Sequence, residues 1–172
     1  SSAKYNGSTN SCLYIKKSTD IRNGVVYAVV GSAGQLGGTS TGYPHNAMYY
    51  SNSTNGGLLV FEVENNRLDA KWVCADGVIR DNFTIMKNVN QSMNVSVTTG
   101  GSITLTASWI GNYSWSNGST SRSITVSPGT STVYTVSDGA GCLTDVFNVT
   151  VSPNSLITKI SRENPVEAKT NP

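Results

Sequence analysis

The residues best suited to chemistry in this chain are few and scattered. A single histidine, His45, lies in a Gly-rich stretch between Gly31 and Gly57 that also holds Gln35 and Tyr43. Imidazole exchanges protons near neutral pH, but one histidine cannot supply a dinuclear metal centre. Cys12, Cys74 and Cys142 form no CxxC pair and none adjoins His45, so zinc-ligand spacing is missing. Three cysteines cannot all pair internally, and Cys74 falls on the apolar side of its strand, where a buried free thiol is expected. Gly31-Ser-Ala-Gly34 can present backbone amides to an anion; lacking GxxxxGK[ST] and a following helix, it reads as a tight turn. Asp76 and Asp81 suggest a carboxylate pair, but Asp76 precedes Gly77 in a hairpin turn that favours Asp for conformational reasons, and neither is assigned to catalysis. Trp109 and Trp115 suit a sugar-stacking platform, yet both fit core positions better.

The elements that must position these groups are almost entirely β. Leu13, Tyr14 and Ile15 lead through polar residues to Asn23-Gly24, a tight-turn pair, and on into Val25 to Val30, so a hairpin is expected. Val-Val-Tyr-Ala-Val-Val is apolar on both faces and needs cover from both sides, which implies a layered domain larger than these residues build. A three-strand meander follows: Leu58 to Val63, Arg67 to Cys74 and Val78 to Met86, with turns at Glu64 to Asn66 and Asp76-Gly77. In its middle strand Leu68, Ala70, Trp72 and Cys74 alternate with Arg67, Asp69 and Lys71, giving one buried and one wet face. A boundary is placed near Asn90. Beyond it, short strands recur at sandwich-like spacing: Val95 to Val97, Ile103 to Trp109, Tyr113 to Ser116, Ile124 to Val126, Val133 to Val136 and Phe147 to Val151. Roughly seven strands, with Trp115 as core aromatic, suit an immunoglobulin-like sandwich.

Composition narrows the partners. Charged residues make up 13% of the 172, the net charge is +2, and no basic run occurs, so nucleic acid is not expected as a partner. No apolar stretch approaches the roughly 20 residues of a membrane-spanning helix. Hydroxyl and amide side chains carry the polarity, the balance of extracellular β proteins. The chain opens on Ser1 to Tyr5 without a start signal and is expected to be part of a longer protein.

Gly24 to Gly34, Tyr43-Pro-His-Asn-Ala-Met48, Gly57 to Val63, Asn66 to Lys71 and Asp76 to Thr84 together resemble the C-terminal end of calcineurin-like metallophosphoesterases related to purple acid phosphatases. In that family a strand ends in Gly-Ser-Ala-Gly, a variable loop carries a Pro or His-Pro element, and a meander closes the domain. Ser102 to Ala107, Tyr113 to Ser116, Ser131 to Val136 and Gly141-Cys142 are similar to bacterial immunoglobulin-like repeats. Such repeats often pair that cysteine with one near their first strands; none stands there, so Cys142 is expected to be unpaired.

The resemblance implies a mainly β chain: residues 1–88 as the closing β-meander of an α/β/β/α metallophosphoesterase sandwich, 89–152 as an immunoglobulin-like β-sandwich, and 153–172 as linker or tail. It implies a secreted or cell-surface hydrolase acting on a phosphoester substrate at two metal ions roughly 3.5 to 4 Å apart. The ligands, including a Gly-His-x-His motif, are expected upstream, leaving this chain alone without metal or activity. His45, Tyr43 and Gln35 then border the substrate cleft, with a solvated loop histidine as the alternative for His45 and packing or simple exposure for Tyr43 and Gln35. The sandwich would contact a cell surface or glycan, or act as a spacer. The rival reading is a non-enzymatic adhesion or carbohydrate-binding protein built of β-sandwich modules.

Overall fold

The computed structural model describes residues 12–17, 25–31, 34–44, 48 and 50–154. Among them the regular structure is all β, in three sheets.

The meander forms where alternation and turn chemistry place it. Strands β2 (Gly57–Glu64) and β3 (Arg67–Cys74) pair antiparallel and close at Glu64 opposite Arg67, so Asn65 and Asn66 make a two-residue loop. Asn65 takes φ of 52°, the left-handed conformation that favoured hairpin loops require and Asn tolerates. Strand β4 (Ile79–Lys87) follows the Asp76-Gly77 turn, where Gly77 has φ of 79° and donates to the Cys74 carbonyl at 2.8 Å. A register shift between Trp72 and Val73 marks the end of this pairing.

The expected hairpin from Leu13 to Val30 is not what forms. Strand β1 (Tyr14–Lys16) instead pairs parallel with β4, giving the order β1-β4-β3-β2. Leu13 and Ile15 pack on the second half's core, and this burial favours docking beside β4. Val25 to Val30 enter no ladder, and the Asn23-Gly24 turn lies outside the described residues. On their outer side Val25, Tyr27 and Val29 are 70%, 88% and 97% exposed, so the two-sided cover that their composition calls for is absent from the described structure.

The second half has six strands rather than about seven. Strands β5 (Ser92–Thr98), β10 (Thr144–Ser152), β9 (Thr132–Ser137) and β7 (Ser114–Trp115) form one sheet in that order; β6 (Ile103–Thr106) and β8 (Ser123–Val126) form the other. The first and last strands, β5 and β10, run parallel side by side. Leu105, Ile124 and Val126 from one sheet meet Val136, Phe147 and Val149 from the other around Trp109 and Trp115. Both tryptophans are buried with their indole N–H groups satisfied, Trp115 by the Ser121 carbonyl at 2.7 Å and Trp109 by that of Asn112 at 3.2 Å. This placement removes them as an exposed sugar platform. Residues beyond 154 lie outside the described structure, so the tail expected over 153–172 is seen only at its start.

The two halves share one core. Met86 from the end of β4 and Val89 beyond it are buried in the same cluster as Leu105 and Trp109. Asn66 donates from Nδ2 to the carbonyls of Lys87 (2.7 Å) and Ser108 (2.8 Å), bridging the first hairpin to the second half. Cys12 and Cys142 are joined by a disulfide with Cα atoms 5.3 Å apart, correcting the expectation that Cys142 is unpaired. Its partner comes from the other half of the chain, 130 residues away, and not from the module's own first strands. Cys74 is the buried free thiol that its alternation predicts.

Candidate functional site

Cross-strand pairing arranges one face of the β2–β4 meander in rows. Val63, Leu68 and Ile85 form one; Phe61, Ala70 and Phe83 the next; Leu59, Trp72 and Asp81 the third. Val26, Ala28 and Val30 line, together with Phe61, Leu68, Phe83 and Ile85 of this face, an open apolar groove of about 600 Å³. Such a concave apolar space is a common setting for a ligand or a packing layer. Its third row carries the polar groups. The buried Trp72 indole N–H has no acceptor among the described residues, although the Tyr50 ring lies 6.0 Å from the Trp72 ring. Beside it Asp81 is half-buried, and desolvation pushes its carboxyl above the ordinary value.

The opposite face is charged and internally neutralised. Arg67 grips Asp69 with two hydrogen bonds, Nε to Oδ2 at 2.6 Å and NH2 to Oδ1 at 3.0 Å, while the Thr84 hydroxyl donates to the same Oδ1. Burial pushes the Asp69 carboxyl up, but these hydrogen bonds and the charges of Arg67 and Lys71 outweigh it, so it sits below the ordinary value. Lys71 pairs with Glu62, and Arg67 also reaches the Ile110 carbonyl at 3.4 Å. This network fastens the sheet to the second half.

The residues singled out by sequence separate in the structure. Gln35 and Tyr43 are exposed and neither lines the apolar cavity; the Tyr43 amide donates to the Ser40 carbonyl at 3.3 Å, and the Tyr43–Pro44 peptide is cis. His45 lies outside the described residues. Gly31 and Gly34 stand in open space without positive φ, so neither position demands glycine. Asp76 serves its turn: Arg80 donates to both its oxygens at 2.7 and 2.6 Å, Val78 N–H adds a third bond at 3.1 Å, and the carboxyl is held down at about 2.

Among the described residues no three His, Cys, Asp or Glu side chains gather to hold a metal ion. Asp69 and Asp76 are committed to arginines, and Asp145 to backbone amides and a serine hydroxyl.

Two junction features escaped sequence reasoning. The Cys12–Cys142 bridge carries no local signal. Asp145 does: it stands at the inward parity of β10 with Phe147 and Val149, and an aspartate there must find donors. It finds three, from Gln91 and Ser108. No protein-family model matches this chain, and comparison with curated proteins gives no match.

Proposed function

We propose that this chain is the closing part of a secreted, calcineurin-like metallophosphoesterase, joined to an immunoglobulin-like module. In this reading β2–β4 are the final meander of an α/β/β/α domain, residues 25–30 are one of its inner strands, and residues 89–152 are the module. The observation that carries the reading is the segment Val25 to Val30. It is apolar on both sides, Val26, Ala28 and Val30 line an open apolar groove against the meander, and Val25, Tyr27 and Val29 are exposed. Exposed apolar surface of this extent marks a contact with further protein. The Trp72 N–H without an acceptor and the desolvated Asp81 support the same reading, because a covering layer would supply their partners.

Two metal ions, held by residues other than those described, would activate water and neutralise the transferring phosphoryl group. The stretch with Gln35, Tyr43 and His45 would border the phosphoester. The Cys12–Cys142 disulfide favours an oxidising compartment, in keeping with secretion. The module would set the enzyme at a cell surface or glycan.

Hydrolysis of p-nitrophenyl phosphate and its bis ester, with Mn²⁺, Zn²⁺ or Fe³⁺ present, tests the assignment. The 172-residue chain should release no nitrophenol, and a protein extended ahead of Ser1 by the sequence encoded there should release it. His45→Ala in the extended protein should lower kcat/KM about tenfold. Activity from the 172 residues alone, or none from the extended protein, would overturn the assignment.

A further inference from the structure

Strand β1 is held more by its surroundings than by its own pairing. Three residues align with β4, from Tyr14 opposite Ile85 to Lys16 opposite Lys87, and the Asn88 amide donates to the Lys16 carbonyl at 3.0 Å. Leu13 and Ile15 are only half-buried against the second half's core, and the Tyr14 ring meets Phe83 edge-on at 6.4 Å. A parallel strand of this length is weak by itself. Two residues before it, however, Cys12 is bonded to Cys142.

The other end of that bond is firmly placed. Cys142 sits in the turn between β9 and β10, where Asp138 Oδ1 accepts the amides of Ala140 and Cys142 at 3.1 and 3.0 Å. Leu143 beside it is buried and accepts the Asp138 amide at 3.2 Å. Cys12 itself is exposed, so a soluble thiol can approach the bond.

We propose that the Cys12–Cys142 disulfide is a redox-controlled strap that keeps β1 in the sheet, so that the four-stranded sheet is completed only under oxidising conditions. A dithiol reductant reverses it. Its thiolate attacks one sulfur, the Cys12–Cys142 bond breaks as a mixed disulfide forms, and the second thiol closes the reductant's own disulfide. Two electrons and two protons pass to the protein, leaving Cys12 and Cys142 as thiols. Residues 12–17 then leave and β4 becomes an open edge, while the second half, whose core strands need no help from the bond, stays folded. This proposal is independent of the phosphoesterase assignment.

Amide hydrogen exchange read by mass spectrometry tests it on the 172-residue chain, oxidised, treated with dithiothreitol, and as the double variant C12S/C142S. Opening shows as local loss of protection. Exchange over residues 13–17 and 79–88 should quicken about tenfold or more in both the reduced protein and the variant, with residues 132–152 unchanged. Unchanged exchange over 79–88 in both would show that packing alone retains β1. Loss of protection across 132–152 as well would show that the bond supports the whole fold. Either result overturns the strap.

Discussion

Asp145 closes on Ser108 from the opposite sheet, its Oδ2 accepting the Ser108 amide at 2.7 Å and its Oδ1 the Ser108 hydroxyl at 2.9 Å. The same Oδ1 accepts the Gln91 amide at 2.7 Å, and the residue is wholly buried. One carboxylate thereby satisfies the backbone where the chain enters the second half and where it leaves β6, two places that no ladder serves.

Replacing Asp145 should therefore be costly. Asp145→Ala strands two part-buried amides and a hydroxyl and should lower unfolding free energy by about 3 kcal/mol. Asp145→Asn, which turns an N–H group toward a donor, should cost about 2 kcal/mol. Urea midpoints at constant m-value measure both; an unchanged midpoint in the alanine variant would show that the three donors find other partners.

Gly57 opens β2 under tight constraint. A Cβ there would lie 2.5 Å from the Val73 carbonyl oxygen and 2.9 Å from the Cys74 Cα, both backbone atoms of the paired strand. Gly57→Ala should destabilise by about 1 to 3 kcal/mol, and protection of the Ala75 amide, which donates to the Gly56 carbonyl at 2.8 Å, should fall with it. Retained protection would mean that the strands shift without cost.

Two carboxylates predict opposite pH behaviour. Asp69 has a lowered folded pKa, so its contribution is present above the ordinary value of about 3.9 and is lost as pH falls through the folded one. Asp69→Asn should lower the melting temperature at pH 7, with the difference shrinking below about pH 4. Asp81 has a raised folded pKa: its favourable contribution is full below about 3.9 and is lost as pH rises through the folded value. Asp81→Asn should raise the melting temperature at pH 7 and leave it unchanged near pH 3. Thermal melts at both pH values check the two signs.

Asn65 and Asn66 share a turn but not a role. Asn66→Ala removes its bonds to the Lys87 carbonyl at the end of β4 and to the Ser108 carbonyl in the second half, and should cost about 1 to 2 kcal/mol. Asn65→Gly keeps the left-handed conformation and should change stability by less than about 0.5 kcal/mol. Comparable losses in chemical denaturation would mean that the turn, and not the bridge, is what Asn66 supports.

How much of this could be read from residues alone depends on the range of the interaction. The meander was legible because Leu68, Ala70, Trp72 and Cys74 alternate with polar neighbours, and because Asp76-Gly77 is a turn whatever surrounds it. Trp115 as a core residue followed from the same local logic. Strand β1 did not: Asn23-Gly24 argued for a local hairpin, whereas the partner chosen, β4, is remote in sequence, and so is Cys142 for Cys12. Val25 to Val30 show the converse, a clear strand composition without a strand beside it. For the candidate site, sequence chose loop residues by type, while the apolar cavity arises from cross-strand rows that only register defines.

The bridge between Cys12 and Cys142 also decides how this chain bears mechanical load. A pull applied at Cys12 and at Pro153 crosses the sulfur atoms to Cys142 and runs along β10, so the intervening chain, with both tryptophans of the core, lies outside the line of tension. Once the bond is reduced and β1 has left the sheet, the same pull runs through the intervening chain and loads β5 against β10, whose parallel ladder must shear along its whole length at once. Oxidised, the chain under force is a short tether with a folded loop hanging from it; reduced, the fold itself becomes the spring.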